Sequence, residues 1–469
     1  VAEPYYADED VTLYLGDCLA VLPGLPDCSV DAVVTDPPYG LEFMGREWDS
    51  FKPSAARVRT RVDGRTNPVE GKSVTATPEA YIAGQPFQRW CEAWAAECLR
   101  VLKPGGWLLA FGGTRTSHRL VCGIEDAGFE IRDSTADLTG YDAPGLMWVY
   151  GSGFPKSRDV SKAIDKAAGA EREVVGRYKH PDRDDDWSSY PSCSAVKPSK
   201  DAYGDFAGRV MDVTAPATED AARWEGWGTA LKPGWEPIAV ARKPLAGTVA
   251  QNVLAYGTGA LNVNGCRVET ADNLSGGAHA RNGSERHDGA ENWRFRIGGA
   301  GEYEQPSGRW PPNVVLGEEA AAELDRQSGV LQGGGRLDAA GIKAENKIYG
   351  RRPEARNGIW ERDIGGASRF FPVFRYEAKA PASERPRLPD GTAHPTVKPV
   401  GLMAWLVRLV TPPGGLVLDP FAGSGATAEA CIVEGFRCVL IEQDPPSAEL
   451  IKTRLAKPIQ PVMFGLEAG

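Results

Sequence analysis

Apolar residues in this chain come in short runs that end abruptly at glycine, proline or aspartate. Val11-Thr12-Leu13-Tyr14-Leu15 alternates as a strand does, and Gly16-Asp17 breaks it. A short helical stretch with Leu19, Val21 and Leu22 ends at Pro23-Gly24. Val30-Asp31-Ala32-Val33-Val34-Thr35 is a compact run of strand length that stops at Asp36-Pro37-Pro38-Tyr39-Gly40. Two prolines cannot continue a central strand, so Asp36 is expected where a buried strand ends.

From Pro86 to Val101 the apolar spacing is helical, through Phe87, Trp90, Trp94 and Leu99. Lys103-Pro104-Gly105-Gly106 is expected to stop that helix, with a strand over Trp107 to Phe111. The same device recurs late in the chain. Leu402 to Val410 is helical, Pro412-Pro413-Gly414-Gly415 stops it, and Leu416 to Asp419 reads as a strand. Leu146 to Tyr150 and Pro237 to Ala241 look like two more strands. Strands alternating with helices predict an α/β fold with a mostly parallel sheet. Between Leu245 and Ala393 the periodicity dissolves into glycine-rich clusters, which predicts long loops or an inserted domain.

Length and composition narrow this picture. A chain of 469 residues implies two or three domains, and its 42% hydrophobic and 25% charged residues are a globular balance. The apolar stretch from Val400 to Leu418 is interrupted by Arg408 and Pro412-Pro413, so no membrane span is expected there. The start, Val1 to Asp10, is acidic and lacks the apolar core of a signal peptide. The nine cysteines include no Cys-x-x-Cys pair, and the five histidines make no ligand spacing. Neither a metal centre nor a disulfide framework is expected, and reduced thiols suit a cytoplasmic location. The net charge of −10 argues against an unspecific nucleic-acid coat. Residues 331 to 385 run the other way, with eleven basic against seven acidic side chains, so a local basic face remains open.

Two constellations carry candidate chemistry. In the first, Leu416 to Asp419 runs into Pro420-Phe421-Ala422-Gly423-Ser424-Gly425, and a helix is expected from Ala426 through Ile432. Glycines there let backbone approach a ligand closely. Val439-Leu440-Ile441-Glu442 then places an acid at the end of another strand, where a carboxylate accepts both hydrogens of a ribose diol. A dinucleotide fingerprint would need glycine where Ala428 stands, and no Gly-Lys-Ser/Thr follows, which excludes a P-loop. A plain strand-turn-helix connection is the alternative.

The second is Asp36-Pro37-Pro38-Tyr39, which sets a carboxylate, a stiff backbone and an aromatic ring at the C-terminal end of a strand, where open α/β sheets bind ligands. An exocyclic base amine is a poor nucleophile because its lone pair is delocalised into the ring. A carboxylate and a backbone carbonyl that accept its two N–H bonds favour a more nucleophilic geometry. The aromatic ring can stack on a base drawn out of its duplex. The alternative is a rigid Pro-Pro turn with a helix-capping aspartate.

Taken in this order, the two constellations resemble the S-adenosylmethionine-dependent DNA amino-methyltransferases, in the permuted arrangement called β. There the Asp-Pro-Pro-Tyr motif comes first and the cofactor glycine motif last. The resemblance implies a Rossmann-like methyltransferase fold with a mostly parallel mixed sheet and a large loop-rich recognition insert. It divides the chain into a catalytic half of the core (11–153), an insert (154–231), a core strand (232–244), a target recognition region (245–393) and a cofactor-binding half (394–455).

The resemblance also implies roles. Asp36, Pro37, Pro38 and Tyr39 would be catalytic. Asp419, Pro420, Phe421, Gly423, Ser424 and Gly425 would form the cofactor turn, with Glu442 on the ribose. Asp17 and Cys18 match the segment that holds the cofactor adenine, Asp17 accepting from its amine. His394 and Lys398, in His394-Pro395-Thr396-Val397-Lys398-Pro399, match the stretch before the helix beside the methionine end. Trp148 and Trp235-Glu236-Pro237 resemble a later strand pair of the same fold.

The expected partner is double-stranded DNA. A homodimer and a separate restriction nuclease are compatible with the resemblance, and a membrane is not. Adenine N6 is the preferred target, because Asp at the first motif position goes more often with adenine. Cytosine N4 is the first alternative, followed by RNA methylation and an inactive DNA-binding protein. Met44 and Trp48 could cover the base, and Phe111-Gly112-Gly113-Thr114 could line its pocket.

Overall fold

The computed structural model describes residues 3–40, 84–132, 134–135, 143–144, 146–149, 157–177, 212–270, 306–332, 364–374, 386–394 and 396–457. Met44 and Trp48 lie outside the described residues, as do all the basic positions between 333 and 363.

An 11-stranded mixed sheet organises the molecule. Its strands are β1 (Tyr6–Ala7), β2 (Val11–Leu15), β3 (Val30–Thr35), β4 (Leu102–Phe111), β5 (Glu130–Ile131), β6 (Leu146–Val149), β7 (Trp235–Arg242), β8 (Val314–Gly317), β9 (Val373–Phe374), β10 (Leu416–Asp419) and β11 (Arg437–Glu442). The helices used below are α1 (Cys18–Val21), α2 (Gln85–Val101), α3 (Ser117–Asp126), α4 (Val400–Val410), α5 (Ala426–Glu434) and α6 (Pro445–Leu455). In space the strands run β1-β2-β11-β10-β3-β4-β7-β6-β8-β9, with β5 also on β7. From β2 to β4 every pairing is parallel. Strand β7 is antiparallel to both β4 and β6.

The alternation within strands builds a core on each side of the sheet. Ala32, Val34 and Leu109 feed one cluster, together with Leu402, Leu406 and Val407 of α4 and Ala428 and Cys431 of α5. Val33, Leu108 and Ala110 feed the other, against Phe87, Cys91, Trp94 and Cys98 of α2 and Leu120 and Ile124 of α3. Successive side chains of a strand point to opposite faces, so β3 and β4 are buried on both sides and read as near-continuous apolar runs. Helix α2 keeps the i, i+4, i+7 spacing of a one-sided helix and buries Phe87, Cys91 and Trp94 in that order. This layering of helix, sheet and helix is a Rossmann-like α/β fold.

One boundary differs from the sequence expectation. Lys103 to Gly106 is not a loop, because α2 ends at Val101 and β4 begins at Leu102. Leu102 already has extended backbone (φ −65, ψ 141), and the pairing of β3 with β4 shifts register between Val30 and Ala32. Gly105 takes up the irregularity with φ +77. The segment is pinned by Lys103 on Asp31 (2.6 Å) and by Asn252 Nδ2 donating to the Pro104 carbonyl (2.9 Å). Bulged strands use a glycine in this way to absorb an extra residue.

Within 245–393, β8 and β9 add two parallel strands beside β6. Residues 157–177 and 212–230 hold a separate small unit, in which Asp165 accepts from Arg172 (2.6 Å) and from the Thr218 hydroxyl (2.8 Å).

Candidate active site at the carboxyl edge of the sheet

The parallel strands β2, β11, β10, β3 and β4 all end on one edge. Strand β7 runs the opposite way, with Ile238 opposite Phe111, so its first residues reach that same edge. The edge therefore gathers Asp36 to Tyr39 after β3, Gly112-Gly113 after β4, Glu236 at the start of β7, Pro420 to Gly425 after β10, and Glu442 at the end of β11. Ligands of open α/β sheets bind along such an edge.

Strands β3 and β10 are neighbours, with Leu418 opposite Val33. Their last residues are joined directly, as the Thr35 hydroxyl donates to Asp419 Oδ1 at 2.6 Å. Asp419 is 2% exposed. It also accepts from the Thr427 hydroxyl (2.5 Å) and the Phe421 amide (3.0 Å), so it shapes the turn from beneath. Burial pushes its carboxyl up to about 6, against the pull of the Thr35 and Thr427 hydroxyls.

The turn itself needs its glycines. Gly423 and Gly425 have φ +52 and +76. A Cβ on Gly423 would sit 3.2 Å from His394 Nε2, and one on Gly425 would sit 3.2 Å from Ile451. Ser424 is buried, and its carbonyl accepts from Arg454 Nε (2.8 Å), which anchors the turn to α6. Pro420 is buried beneath the turn, while Phe421 packs on Trp90 and edge-on to Trp94.

Glu442 closes the turn from the next strand. Its Oε2 accepts from the Gly423 amide (2.7 Å) and its Oε1 from the Asp444 amide (2.8 Å). Burial pushes this carboxyl up to about 7, although both amide bonds favour the charged form. The Gly16 amide donates to the Glu442 carbonyl (2.9 Å), which brings Asp17 to the same edge. Asp17 caps α1 through the Leu19 amide (2.7 Å). Cys18 is buried in the core, and that burial pushes its thiol up to about 12.

The second half of the site centres on Asp36. The Tyr39 hydroxyl donates to Asp36 Oδ1 (2.8 Å) and lies 3.3 Å from Glu236 Oε2. The Tyr39 carbonyl accepts from the Thr116 hydroxyl (2.6 Å). Gly113 backs the ring, because a Cβ there would come within 2.9 Å of Tyr39 Cδ2. Pro37 is buried.

Lys398 reaches into this cluster rather than toward the glycine turn. Its ammonium lies 3.0 Å from Asp36 Oδ2 and 3.0 Å from Glu236 Oε2. It also donates to the Tyr39 hydroxyl (3.1 Å) and sits 4.6 Å from the centre of the Phe111 ring. Burial opposes its charge, yet the Asp36 and Glu236 carboxylates outweigh that and hold the ammonium above the ordinary lysine range. His394, four residues earlier, does lie against the turn. Burial lowers its basicity, with the Thr396 carbonyl at Nδ1 (2.8 Å) pulling the other way.

The sequence motifs thus meet, and the structure adds Glu236, Thr35, Thr116 and Thr427 to them. Glu236 was visible only as part of a strand motif. A carboxylate beside a proline at the head of an apolar strand is a signal once that strand is known to run antiparallel. Among the described residues no group of three or more His, Cys, Asp or Glu could hold a metal, and no helix is long and apolar enough to cross a membrane.

In the region read as target recognition, Arg267 lies over Trp310 (5.6 Å), and Arg309 and Arg369 lie over Phe370 (4.7 and 4.3 Å). Arg369 also donates to the Gly365 carbonyl (2.8 Å), so it braces its own loop.

Residues 30–137 and 338–453 match a family model described as DNA methylase. The Type II methyltransferase M.HindIII of Haemophilus influenzae is 24% identical over 265 residues, covering 54% of this chain and 65% of that protein. The Type II methyltransferase M.BamHI of Bacillus amyloliquefaciens is 30% identical over 109 residues, covering 23% and 19%. The chain thus spans less than two thirds of either relative. Among solved structures, the PvuII DNA methyltransferase (cytosine-N4-specific) aligns over 97% of this chain and 89% of its own, at 12% identity and a TM-score of 0.38. The M1.HpyAVI–SAM complex aligns over 95% and 100%, at 14% identity and a TM-score of 0.33.

Proposed function

The chain belongs to the N6/N4 DNA methylase family, and we propose that it transfers a methyl group from S-adenosylmethionine to the exocyclic amine of adenine, N6, in double-stranded DNA. One observation carries the reading. The Thr35–Asp419 hydrogen bond sets the Asp-Pro-Pro-Tyr turn directly beside the glycine turn, so an acceptor for an amine adjoins a cradle for a cofactor.

The residues present fit S-adenosylmethionine. Gly423 and Gly425, at φ +52 and +76, hold the turn in a tight left-handed path against His394 and Ile451, which keeps side chains off the edge where the cofactor would lie. Glu442 would take the ribose diol, Asp17 lies at the adenine end and His394 borders the turn. When bound, the cofactor supplies an electrophilic methyl on a sulfonium.

The protein's own part is positioning and electrostatics. The target base leaves its stack and lies against Tyr39. Asp36 and the Pro37 carbonyl accept the two N–H bonds of the amine and direct its lone pair at the methyl carbon. The cofactor would supply the methyl carbon and its sulfur would keep the bonding pair, while Asp36 or water would take the amine's surplus proton. No covalent bond to the enzyme is needed. The Asp at position 36 favours adenine by the family tendency. The 245–393 region, with its basic and aromatic side chains, is the part that would meet DNA phosphates and base edges.

The test is methyl transfer to unmethylated genomic DNA, followed by digestion to nucleosides and mass spectrometry. N6-methyladenine is the expected product. N4-methylcytosine would overturn the choice of base, and the absence of any methylated nucleoside with cofactor bound would overturn the substrate.

A further inference from the structure

The contacts of Lys398 go beyond this reading. Its match to the cofactor side rested on position in the chain, but its ammonium joins the end of β3 to the start of β7 through Asp36 and Glu236, each at 3.0 Å. An exposed ion pair of this kind contributes little. Here the lysine side chain is only 11% exposed, and the two acids are 23% and 20% exposed. Two carboxylates meeting at one nitrogen would repel each other strongly without it.

The geometry points to Lys398 as a positioning residue that holds the Asp36 carboxylate in place and aimed for the incoming amine, with Glu236 as the carboxylate whose repulsion it cancels. The inference rests on the proposed methyl transfer and deepens it. Lys398 does not serve as a base, because the flanking acids hold it protonated. Its bond to Oδ2 and the Tyr39 bond to Oδ1 fix the plane of the Asp36 carboxylate. Four lone-pair sites exist on a carboxylate, so these two bonds leave acceptor capacity for an amine N–H. The acceptor is therefore set before the base arrives, which removes a reorganisation step from the reaction. The charged and titratable groups around it are Asp36 and Tyr39 after β3, Glu236 on β7 and Lys398 itself. His394 and Asp419 face Asp36 through their fields.

The experiment measures single-turnover methyl transfer to unmethylated DNA from about pH 6 to about pH 9. It uses the wild type, Lys398→Met, Lys398→Arg, Glu236→Gln and the Lys398→Met/Glu236→Gln double variant, and calorimetry gives S-adenosylmethionine affinity for each. Lys398→Met should slow transfer roughly 100-fold near neutral pH and regain rate as pH rises, with cofactor affinity unchanged. Lys398→Arg should recover most of the rate. The double variant should lose the new pH dependence, since the repelling carboxylate is gone. Cofactor affinity falling in step with rate would overturn the inference and return Lys398 to the cofactor side. A Lys398→Met enzyme with the wild-type rate and pH profile would also overturn it. A wild type that binds cofactor but transfers nothing would overturn the proposed reaction itself, and this inference with it.

Discussion

At the scale of single residues, the carboxylates of the site differ in what holds them. Asp419 accepts from Thr35, Thr427 and the Phe421 amide, and Glu442 from two backbone amides, one on each oxygen. Asp36 is part-exposed at the edge and is held by Lys398, and it is the acid that the proposed reaction sets against the substrate. Asp36→Asn keeps the shape and the Tyr39 contact but halves the acceptor character. Methyl transfer should fall roughly 10²–10³-fold, the usual loss when one polar group is removed from a reacting centre. Cofactor affinity measured by calorimetry should stay within about twofold of wild type, because the proposed reaction uses Asp36 in the transfer step and not in cofactor binding. A variant with unimpaired transfer would remove Asp36 from the chemistry.

At the scale of elements, the run from β10 into α5 shows why glycine stands where it does. Gly425 caps α5 in the left-handed conformation, φ 76 and ψ 22, and its α-carbon faces Ile451 of α6. Gly425→Ala combines about 1–2 kcal/mol of backbone strain with a tight contact to Ile451. Chemical denaturation should show a loss of that size, and cofactor affinity should weaken because the turn must open to relieve it. An alanine variant as stable as wild type would contradict the left-handed cap. The run from α2 into β4 teaches the opposite lesson about glycine. Pro104-Gly105-Gly106 looks like punctuation in the sequence, yet it lies inside a strand. Pairing with β3 and the bond from Asn252 fix that stretch from outside.

At the scale of the whole molecule, the sheet carries two buried acids with raised pKa values, near 6 for Asp419 and near 7 for Glu442. A carboxyl raised on folding binds its proton more tightly in the native state than in the unfolded chain. Its contribution is full below the unfolded value and is lost as pH rises through the folded one. For these two groups the window runs from about pH 4 to about pH 7. A tenfold difference in proton affinity between the folded and unfolded chain corresponds to about 1.4 kcal/mol. Glu442→Gln should therefore flatten the decline of thermal stability between the two ends of that window by a few degrees in Tm. Scanning calorimetry of both proteins across the window checks this, and identical pH profiles would contradict a protonated Glu442.

The sequence by itself determined the alternation of strands and helices, and with it the two-sided core, because burial on both faces demands near-continuous apolar runs such as Val30 to Val34. It also determined Asp36, Tyr39, Gly423, Gly425 and Glu442 as candidates, because each stands where a local signal stops an element. Tertiary structure alone decided what those residues face. The pairing of β3 with β10 joins Thr35 to Asp419 across 384 positions of sequence. The reversed direction of β7 delivers Glu236 to the ligand edge, and the approach to α4 turns Lys398 onto Asp36 and away from the glycine turn. The physical reason is that stops and periodicities are written in neighbouring residues, whereas strand order and direction come from burying faces contributed by distant segments. No run of neighbours along the chain encodes which carboxylate a buried ammonium will meet.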